Sequence, residues 1–504
     1  MNLLFSSEAW RVIEAINVCK PPDLPVYLVG GAVRDLILGK PVKDFDFVCP
    51  SQSLQLAQRV KKKLGAVGFT LDDERQTARL ILNQGSEDEL ILDFVSFVGN
   101  SLKEDLSNRD FTINTLVIDL DQPDQVIDLL NGQQDLRERR LRAASAASMQ
   151  LDPLRVLRGA RLKLAYDLEI EPETGLLIRQ SAPELARVSG ERIRDELFKI
   201  LDLPNVWCAF TLLDDLGSLT QIFPELQEVQ AVPALKPHVH SLWEHTLKVI
   251  EYLEIILGMG ELGTAESSNV FWGVLRPKLA PYLSRLEVHF NRPIQAKRPR
   301  KSLFYLAALY HDVGKPLTQT RSEDGRYHFY GHDQTGSGVV LARAQALMLG
   351  HEEVAYLSTL VSQHMRVHFY NKSANVLSDR AIYRYYRDLG EAGVDVALIS
   401  LADILAAYED TLPMEKWQHE IDAVIALLEA WFSRREAVVA PDKWLDGDEI
   451  QTIFDLKPGP LLGKILAELQ EAQASGEVKD RQTALIFVAE YLRVNKVKGA
   501  YDAS

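Results

Sequence analysis

The chain has 504 residues, 46% of them apolar and 25% charged, and its formal net charge at pH 7 is −15. This composition is typical of a globular protein with about two to four domains, and the acidic total argues against indiscriminate binding to nucleic acid. No run of about 18 apolar residues occurs, so no membrane span is expected. Three widely spaced cysteines and an amphipathic N-terminal helix in place of a signal peptide favour a reducing, cytoplasmic location.

Residues 26–48, VYLVGGAVRDLILGKPVKDFDFV, combine a strand, a glycine turn, a helix and a second strand. Gly30 and Gly31 precede the predicted helix, where bare backbone N–H groups suit a phosphate. On the second strand, Asp44 and Asp46 project from one face while the phenylalanines project into a core. The two carboxylates stand about 7 Å apart along the strand and would repel each other without a cation. The stretch predicts a nucleotidyl-transfer site; a turn with two solvated aspartates is the alternative.

GGAVRD followed by DFD resembles motif A of the class II tRNA nucleotidyltransferase and bacterial poly(A) polymerase family. The resemblance continues in order through the first part of the chain. It implies a polymerase-β-like head in which Asp44 and Asp46 are catalytic and hold Mg²⁺. It also makes Gly30, Gly31 and Arg34 candidates for nucleotide binding.

A β-hairpin is predicted over residues 78–97, with a polar turn at 83–89. Asp93 lies on its second strand among apolar neighbours, so its carboxylate needs a partner. The third metal-side carboxylate of the family falls in this strand, which makes Asp93 a third catalytic candidate. A strand-end aspartate facing water is the alternative.

LKEDLSNRDFTINTLVIDL resembles motif B of the family, usually RRDFTIN, with Asn108 in place of the first arginine. In the family this segment holds the sugar and phosphates of the incoming nucleotide. The resemblance therefore implies nucleotide binding by Arg109, Asp110 and Asn114. Arg109 suits phosphate because a guanidinium donates hydrogen bonds in pairs.

The connection that leads to motif B is short. Phe97 is followed by residues 98–100 and then at once by SLKEDLSNRDF. Most CCA-adding relatives carry an arginine and a long flexible loop there, and in the family that loop is associated with the switch from adding C to adding A. Its absence predicts an enzyme that adds only the two cytidines; harmless variation of a surface loop is the alternative.

Residues 151–170 predict an amphipathic helix with a leucine stripe and with Asp152, Arg155, Arg158 and Arg161 at three-residue steps. A solvated face with internal ion pairs is the ordinary interpretation. The segment also resembles motif D of the family, normally EDxxR, whose two residues read the nucleotide. An aspartate can accept from N4 of cytosine and an arginine can donate to its O2 and N3. Arg158 and Arg161 would then face nucleotide phosphate.

Between residues 137 and 163 there are eight basic residues against two acidic, so a basic patch for RNA phosphates is expected despite the acidic total. SGERIRDELFKIL matches the last family motif. It predicts a helix that opens at Ser189 or Gly190 and supports the neck helix.

Beyond residue 233, histidines and aspartates recur in an otherwise apolar helical region. A single histidine there is most often a satisfied core residue, but a set with a His-Asp doublet favours a metal site. The residues are His245, His311, Asp312, Asp403, His332 and His364. Their order resembles that of the HD phosphohydrolase superfamily, with the last two at positions of a second metal in some members. This implies a divalent transition metal or Mg²⁺ and a phosphohydrolase activity, assigned to RNA ends by analogy only.

An insert at 258–301 is basic in its later half, and a solvated loop or an extra tRNA contact would both explain it. Segments 417–434 and 461–492 predict amphipathic helices without evident chemistry, candidates for a tail that grips tRNA.

The resemblances imply an α+β fold: a mixed-sheet head (1–140), an all-α neck (141–232), an HD domain (233–410) and a helical tail (411–504). The expected function is template-independent addition of CC to tRNA from CTP, with Mg²⁺ in the head, ATP as a further nucleotide and no membrane partner. The oligomeric state stays open. The alternatives are full CCA addition, poly(A) polymerase, or mainly an HD-type phosphohydrolase with an RNA-binding head.

Overall fold

The computed structural model describes residues 5–86, 88–235, 239–258, 270–295, 298–370 and 377–501. The chain divides into two compact units. The first comprises Met1–Ile200 and Leu212–Ile222, and the second comprises Leu201–Thr211 and Phe223–Ser504. A search of the described residues finds no helix that is long and apolar enough to cross a membrane.

The first unit contains a mixed sheet. Its strands are β1 (Tyr27–Val29), β2 (Asp44–Cys49), β3 (Val67–Asp72), β4 (Thr77–Leu82), β5 (Leu90–Ser96), β6 (Val117–Asp119) and β7 (Val126–Ile127). They lie in the order β3-β4-β5-β2-β1-β6-β7. The β2–β5 pair is parallel, whereas the other neighbours are antiparallel. A separate parallel pair joins β8 (Arg140–Leu141) to β9 (Glu169–Ile170).

Short helices surround the sheet and continue beyond it. They are α1 (Ser7–Cys19), α2 (Gly31–Ile37), α3 (Ser53–Leu64), α4 (Leu102–Ser107), α5 (Gly132–Arg137), α6 (Ser148–Leu151), α7 (Arg155–Tyr166), α8 (Pro172–Ser181), α9 (Gly190–Leu201), α10 (Val206–Asp215) and α11 (Leu219–Ile222). The N-terminal helix, the hairpin of β4 with β5, and the helix opening at Gly190 are therefore confirmed. So is the α+β class with a mixed-sheet head.

Side chains alternate along β2 as predicted, so that the phenylalanines face the core and the aspartates face the opposite side of the sheet. Phe45 and Phe47 are 2% and 1% exposed, while Asp44 is exposed and Asp46 is half-buried. The rings of Phe47 and Phe94 stack with centroids 5.2 Å apart. Burying each such ring stabilises the fold by about 1.5–3 kcal/mol, so a one-residue slip of β2 would exchange core and site at high cost.

The helix predicted over residues 151–170 is wrong at both ends, since α7 stops at Tyr166 and Glu169–Ile170 form β9. α6 ends at Leu151, and Asp152 is extended with φ −153° and ψ 103° before α7 begins at Arg155. Pro153 accounts for the break, because its ring disfavours helical geometry in the residue before it. Leu151 is consequently 55% exposed and lies off the buried leucine stripe.

The second unit is almost wholly helical. Its helices are α12 (Leu226–Gln230), α13 (Leu242–Ile256), α14 (Val270–Leu279), α15 (Leu283–Asn291), α16 (Arg300–Tyr310), α17 (Lys315–Thr318), α18 (His332–Ala346), α19 (His351–Gln363), α20 (Asp379–Leu389), α21 (Ala392–Tyr408), α22 (Met414–Ser433), α23 (Gly447–Phe454), α24 (Pro460–Ala474) and α25 (Arg481–Tyr501). The strands β10 (Thr320–Arg321) and β11 (Tyr327–His328) form a small ribbon. α21 is buried along nearly its whole length, as its continuous apolar sequence requires.

The described part of the basic insert is helical and packed, so the solvated-loop interpretation is wrong there. The indole N–H of Trp417 donates to the carbonyl of Phe271 at 3.0 Å, and Arg285 donates to the carbonyl of Phe432 at 2.7 Å. These contacts attach α14 and α15 to α22. Residues 259–269 and 296–297 of the insert lie outside the described residues.

Candidate functional site

Three carboxylates lie on adjacent strands of the first unit. β2 and β5 run parallel with Asp46 in register with Asp93, and Asp44 precedes on the same face of β2. Asp93 accepts a paired hydrogen bond from Arg79 on β4, at 2.8 and 2.7 Å. An array of carboxylate oxygens is the donor set that Mg²⁺ prefers. Asp44 and Asp46 therefore suit that cation by their chemistry, whereas both oxygens of Asp93 are engaged by Arg79.

On this face, burial and the neighbouring carboxylates raise the pKa of Asp44 and Asp46, whereas nearby arginines lower it. Burial raises the pKa of Asp46, the negative charges of Asp93 and Asp44 raise it further, and Arg109 acts in the opposite direction. Burial also raises the pKa of Asp44, with Arg79 opposing it. A cation at this face would relieve both the burial and the repulsion.

The glycine turn meets these carboxylates. Gly30 has φ +80°, and a Cβ at that position would lie 3.3 Å from Arg109 Nη1 and 3.3 Å from Asp46 Oδ2. A side chain at Gly30 would therefore occupy the space between a guanidinium and a carboxylate. The turn, Arg109 and Asp46 therefore meet at one corner of the sheet.

Motif B connects this corner to α7. Asp110 is buried and accepts from Arg158 Nε and Nη2 at 2.8 and 2.7 Å, from Asn114 at 3.0 Å and from the N–H of Phe111 at 2.8 Å. Burial works against the charge of Asp110, but Arg158 and the other donors outweigh it and hold the pKa of Asp110 well below its ordinary value. Asp110 and Arg158 thus form a buried brace.

Arg34 lies beneath the turn and is 6% exposed. Its Nη1 donates to Asn114 Oδ1 at 2.6 Å, its Nη2 donates to the hydroxyl of Tyr166, and its guanidinium lies 4.1 Å from the centroid of that ring. The Tyr166 hydroxyl in turn donates to Asp35 at 2.7 Å. These contacts tie α2, motif B and α7 together.

The proposed reading pair comes from two different elements. Asp152, between α6 and α7, accepts from Arg192 at 2.7 Å. Arg155, in the first turn of α7, donates to the carbonyls of Ser148 (2.8 Å), Arg109 (3.1 Å) and Asn108 (2.7 Å). Burial lowers the pKa of Arg155. Arg161, two turns along α7, is paired with Glu196 of α9.

The six residues singled out in the helical region come together in the second unit. His245, His311, Asp312 and Asp403 form one group, and Asp312, His332 and His364 form another. Within each group the ligand atoms all lie within 4.8 Å of one another. All six side chains are buried, and Asp403 and His332, at 8% and 9%, are the most exposed of them.

Asp312 belongs to both groups and divides its oxygens between them. Its Oδ2 lies 3.5 Å from His245 Nε2 and 3.2 Å from His311 Nε2. Its Oδ1 lies 3.3 Å from His332 Nε2 and 3.7 Å from His364 Nε2. A carboxylate placed in this way can bridge two cations.

Three of the histidines are oriented by the same local contact. The Nδ1 atoms of His311, His332 and His364 each lie 2.8 Å from the carbonyl oxygen three residues earlier. A carbonyl can only accept, so Nδ1 carries the proton and Nε2 presents its lone pair to the cluster. Orientation of this kind is usual for metal-binding histidines. Imidazole nitrogens with carboxylate oxygens suit a divalent transition metal.

Outer residues complete the cluster. His368 Nε2 lies 2.9 Å from Asp403 Oδ2, and its Nδ1 lies 3.1 Å from Glu420 Oε1. Burial lowers the pKa of His368, but Glu420 and Asp403 outweigh it and raise this pKa to about 10. Burial opposes the charge of Asp312 as well, yet Lys315 and His311 hold its pKa well below the usual range. Burial likewise opposes the charge of Asp403, but His245 and His368 hold its pKa well below the usual range, so Asp312 and Asp403 are both ionised at neutral pH.

A cavity of about 730 Å³ opens beside this cluster. His332, His368 and Asp403 lie on its wall, so the cluster faces the space where a small molecule fits. The remaining lining includes aromatic rings, two lysines and two glutamates, among them Phe329, Tyr330, Lys315, Lys416, Glu415 and Glu420.

Three known protein families match successive segments of this chain. Residues 26–142 match the family described as the poly A polymerase head domain. Residues 167–229 match a probable RNA- and SrmB-binding site of polymerase A, and residues 242–408 match the HD domain.

Curated relatives match almost end to end. The A-adding tRNA nucleotidyltransferase of Deinococcus radiodurans is 30% identical over 485 residues, which cover 93% of this chain and 97% of the relative. The chain belongs to the tRNA nucleotidyltransferases of the CCA-adding family. The CC-adding enzyme of Thermus thermophilus is also 30% identical, with 92% of this chain and 95% of that enzyme covered. The family is therefore established, and relatives of both specificities share it.

Solved structures of the same family have this fold. The Thermotoga maritima CCA-adding enzyme complexed with tRNA_CCA has a TM-score of 0.62 at 20% identity, covering 97% of both chains. A CCA-adding enzyme complexed with ATP has a TM-score of 0.64 at 20% identity, covering 97% of this chain and 96% of the other. This tRNA nucleotidyltransferase is accordingly an enzyme with the fold expected from its sequence.

Several residues of this tRNA nucleotidyltransferase were missed in the sequence. Arg79, Lys315 and His368 each pair with a candidate ligand, and Glu420 pairs with His368. For His368 a signal was present, since it follows His364 by one helical turn. No comparable pattern marks Glu420, whose partner is 52 positions away in the chain.

Gly314 holds α18 against the metal cluster, which gives a first prediction. A Cβ at Gly314 would lie 2.1 Å from the carbonyl oxygen of His332 and 2.7 Å from the nitrogen of Gly336. Gly314→Ala should therefore destabilise the second unit by about 1–3 kcal/mol and weaken metal binding. The checks are the thermal unfolding midpoint and a metal titration. Gly338→Ala is the control, because nothing lies within 4 Å of a Cβ there.

A pH dependence follows from Asp110, whose pKa is lowered in the folded state. The ionised group contributes stability above about pH 4, and this contribution is lost as the pH falls further. Asp110→Asn should lower stability at pH 7 by about 1.5–3 kcal/mol through loss of charged hydrogen bonds. The gap in thermal midpoint between the wild type and the variant should narrow at pH 3. A gap of equal size at both pH values would contradict the assignment.

Proposed function

We propose that this enzyme adds the two cytidines of the tRNA 3′ end from CTP and stops before the terminal adenosine. The observation that carries the proposal is the connection from β5 to motif B. Here Val98 N–H donates to Asp105 at 3.0 Å, Asn100 N–H donates to Glu104 at 2.7 Å, and Ser101 caps α4. Because these few residues are all hydrogen-bonded to α4, the segment between β5 and α4 is too short and too constrained to contain a movable loop.

The residues then take distinct roles. Asp44, Asp46 and Asp93 would hold Mg²⁺, which when bound supplies Lewis-acid activation of the tRNA 3′-hydroxyl and neutralises charge on the leaving pyrophosphate. Arg109 and the turn at Gly30 would bind the triphosphate. The head, neck, HD domain and tail are proposed to follow the boundaries expected from the sequence.

Base selection is proposed to come from Asp152 and Arg155, without a nucleic-acid template. A carboxylate that accepts from N4 and a guanidinium that donates to O2 and N3 match the Watson–Crick edge of cytosine. Adenine offers a similar N6 donor and N1 acceptor but no counterpart of O2, so the pair favours cytosine through the O2 contact. Arg158 and Arg161 are already engaged by Asp110 and Glu196, so in this proposal their contribution to the nucleotide is mainly through the field of their positive charge. tRNA and CTP are the proposed partners.

The test uses tRNA that lacks its 3′ CCA, with products resolved at single-nucleotide length. Incubation with CTP alone and with CTP plus ATP should both give growth by two residues. A third residue that appears only with ATP would overturn CC-only addition in favour of full CCA addition. In a parallel reaction, tRNA that already ends in CC should stay unextended with ATP; extension by one residue would instead indicate an A-adding enzyme.

A second activity is proposed for the second unit, a metal-dependent phosphohydrolase. The shared carboxylate of Asp312 and the adjoining cavity favour it. A divalent metal bound there would supply an activated water for attack on phosphorus. Lys315 is placed to bind a phosphate oxygen at the cavity wall. Hydrolysis of bis-p-nitrophenyl phosphate should require added Mn²⁺, Ni²⁺, Co²⁺ or Mg²⁺ and stop with EDTA; no hydrolysis with any of these ions would overturn the proposal.

A further inference from the structure

We propose that Asp105 is a positioning residue that couples the short β5–α4 connection to both Arg109 and Arg155 and thereby sets the preference for CTP. The inference rests on the proposed function, because it takes Arg155 as the group that reads the base. It assigns a role to a side chain that touches neither the proposed nucleotide nor the metal face.

Both oxygens of Asp105 are used, and they face in different directions. Asp105 is 5% exposed. Its Oδ1 accepts from the N–H of Val98 at 3.0 Å, and its Oδ2 accepts from Nε and Nη2 of Arg109, each at 3.2 Å. One carboxylate therefore links the beginning of the connection to the arginine that follows its end.

The contact with Asp105 fixes how Arg109 is presented. Asp105 occupies the Nε and Nη2 edge of the guanidinium, and Nη1 is left near the position of a Gly30 Cβ and near Asp46. A planar guanidinium held along one edge by a buried carboxylate has little freedom to rotate. Nη1 is thus held toward the corner where a triphosphate would lie.

The same contact reaches Arg155 through the backbone. The guanidinium of Arg155 donates to the carbonyls of Asn108 and Arg109, the two residues that directly follow α4. The position of these carbonyls depends on where α4 ends and on where Arg109 is held. Asp105 constrains both, because it lies within α4 and grips Arg109. The reading arginine therefore takes its position from the short connection.

In this arrangement Arg155, the proposed base-reading residue, is held in one position. A long loop could shift the segment that carries these carbonyls, but a connection closed by Asp105 keeps it in place. An Arg155 held in one position favours one base. A change that lets Arg155 move should therefore lower the discrimination between CTP and ATP, even where the enzyme still catalyses addition.

The closing experiment compares Asp105→Asn with Ser101→Ala in the full-length enzyme. The asparagine keeps an acceptor for Val98 N–H but presents an amide donor to Arg109, so only the arginine side of the contact is lost. The alanine removes the cap of α4 in the same connection and leaves the Arg109 contact intact. For each enzyme, kcat and KM are measured for CTP and for ATP on tRNA that lacks CCA, together with the thermal midpoint.

Asp105→Asn should lower the ratio of kcat/KM for CTP over ATP by about tenfold or more, with a raised KM for CTP, whereas Ser101→Ala should leave that ratio unchanged. An unchanged ratio in folded Asp105→Asn would overturn the inference, and so would an equal fall in both variants. If Asp105→Asn does not melt cooperatively, Asp105→Glu is measured in its place. Glutamate keeps the negative charge but displaces the carboxylate by one methylene. Selectivity equal to that of the wild type in Asp105→Glu would then overturn the inference. Addition of A by the wild type would instead refute CC-only addition, a separate result.

Discussion

Asp46→Ala is expected to reduce addition of cytidine to tRNA by about a thousandfold or more. Asp46 lies at the centre of the carboxylate face, in register with Asp93 and beside the turn at Gly30. Its removal takes away a proposed cation ligand and one of the two negative charges near Arg109, while the ion pair of Arg109 with Asp105 stays in place. Binding of tRNA should change little, because in the proposed scheme Asp46 acts only on the reacting end of the tRNA.

The measurement is single-turnover incorporation of CMP into tRNA that lacks CCA, over a range of Mg²⁺ concentrations. Asp72→Asn is the matched control, since Asp72 lies on edge strand β3 of the same sheet. Phosphohydrolase activity of Asp46→Ala should equal that of the wild type, because the other cluster lies in the other compact unit. Loss of both activities in this variant would refute the two-site scheme.

His311→Ala should have the opposite effect. His311 Nε2 lies 3.3 Å from His245 Nε2 and 3.2 Å from Asp312 Oδ2, so the variant removes a ligand from the centre of the cluster. Hydrolysis of bis-p-nitrophenyl phosphate should fall by about a hundredfold or more, since even residues outside the ligand shell are worth 10–100-fold. Addition of cytidine should stay at the wild-type rate.

Metal content gives a check on this variant that does not depend on activity. Wild-type enzyme equilibrated with Mn²⁺ and then desalted should retain more metal than His311→Ala, as measured by mass spectrometry. His351→Gln is the control, because His351 is exposed at the start of α19. Equal retention by all three proteins would count against the cluster as a metal site.

The parts predicted well from the sequence are those in which a periodic pattern and a motif coincide. The alternation of β2 is an example, since Phe45 and Phe47 must be buried if Asp44 and Asp46 are to share the other face. The six residues of the second unit came together for a related reason. An imidazole or carboxylate inside an apolar helix can be buried only with polar partners, and the other members of the set are those partners.

The parts predicted poorly depend on local exceptions or on distant partners. The continuous neck helix is a wrong prediction because Pro153 disfavours helical geometry at Asp152, whereas the three-residue recurrence of charge indicates helix on both sides of that break. The brace of Asp110 with Arg158 joins positions 48 apart, and no period relates them. The structure of the insert was predicted poorly because its basic residues suggested a solvated loop. In the structure, Phe271 and Trp272 of the insert are buried, and they pack its helix against the rest of the second unit.

The carbonyl contacts of His311, His332 and His364 bear on how such a site can diversify. Each imidazole takes its tautomer from a backbone atom three residues earlier, and a backbone carbonyl is present whatever side chain that residue carries. Neighbouring side chains, including those that line the cavity, can therefore be exchanged without disturbing the lone pairs offered to the metal. Mutational drift or directed evolution could change which phosphate ester the proposed phosphohydrolase accepts while its candidate metal ligands stay unchanged.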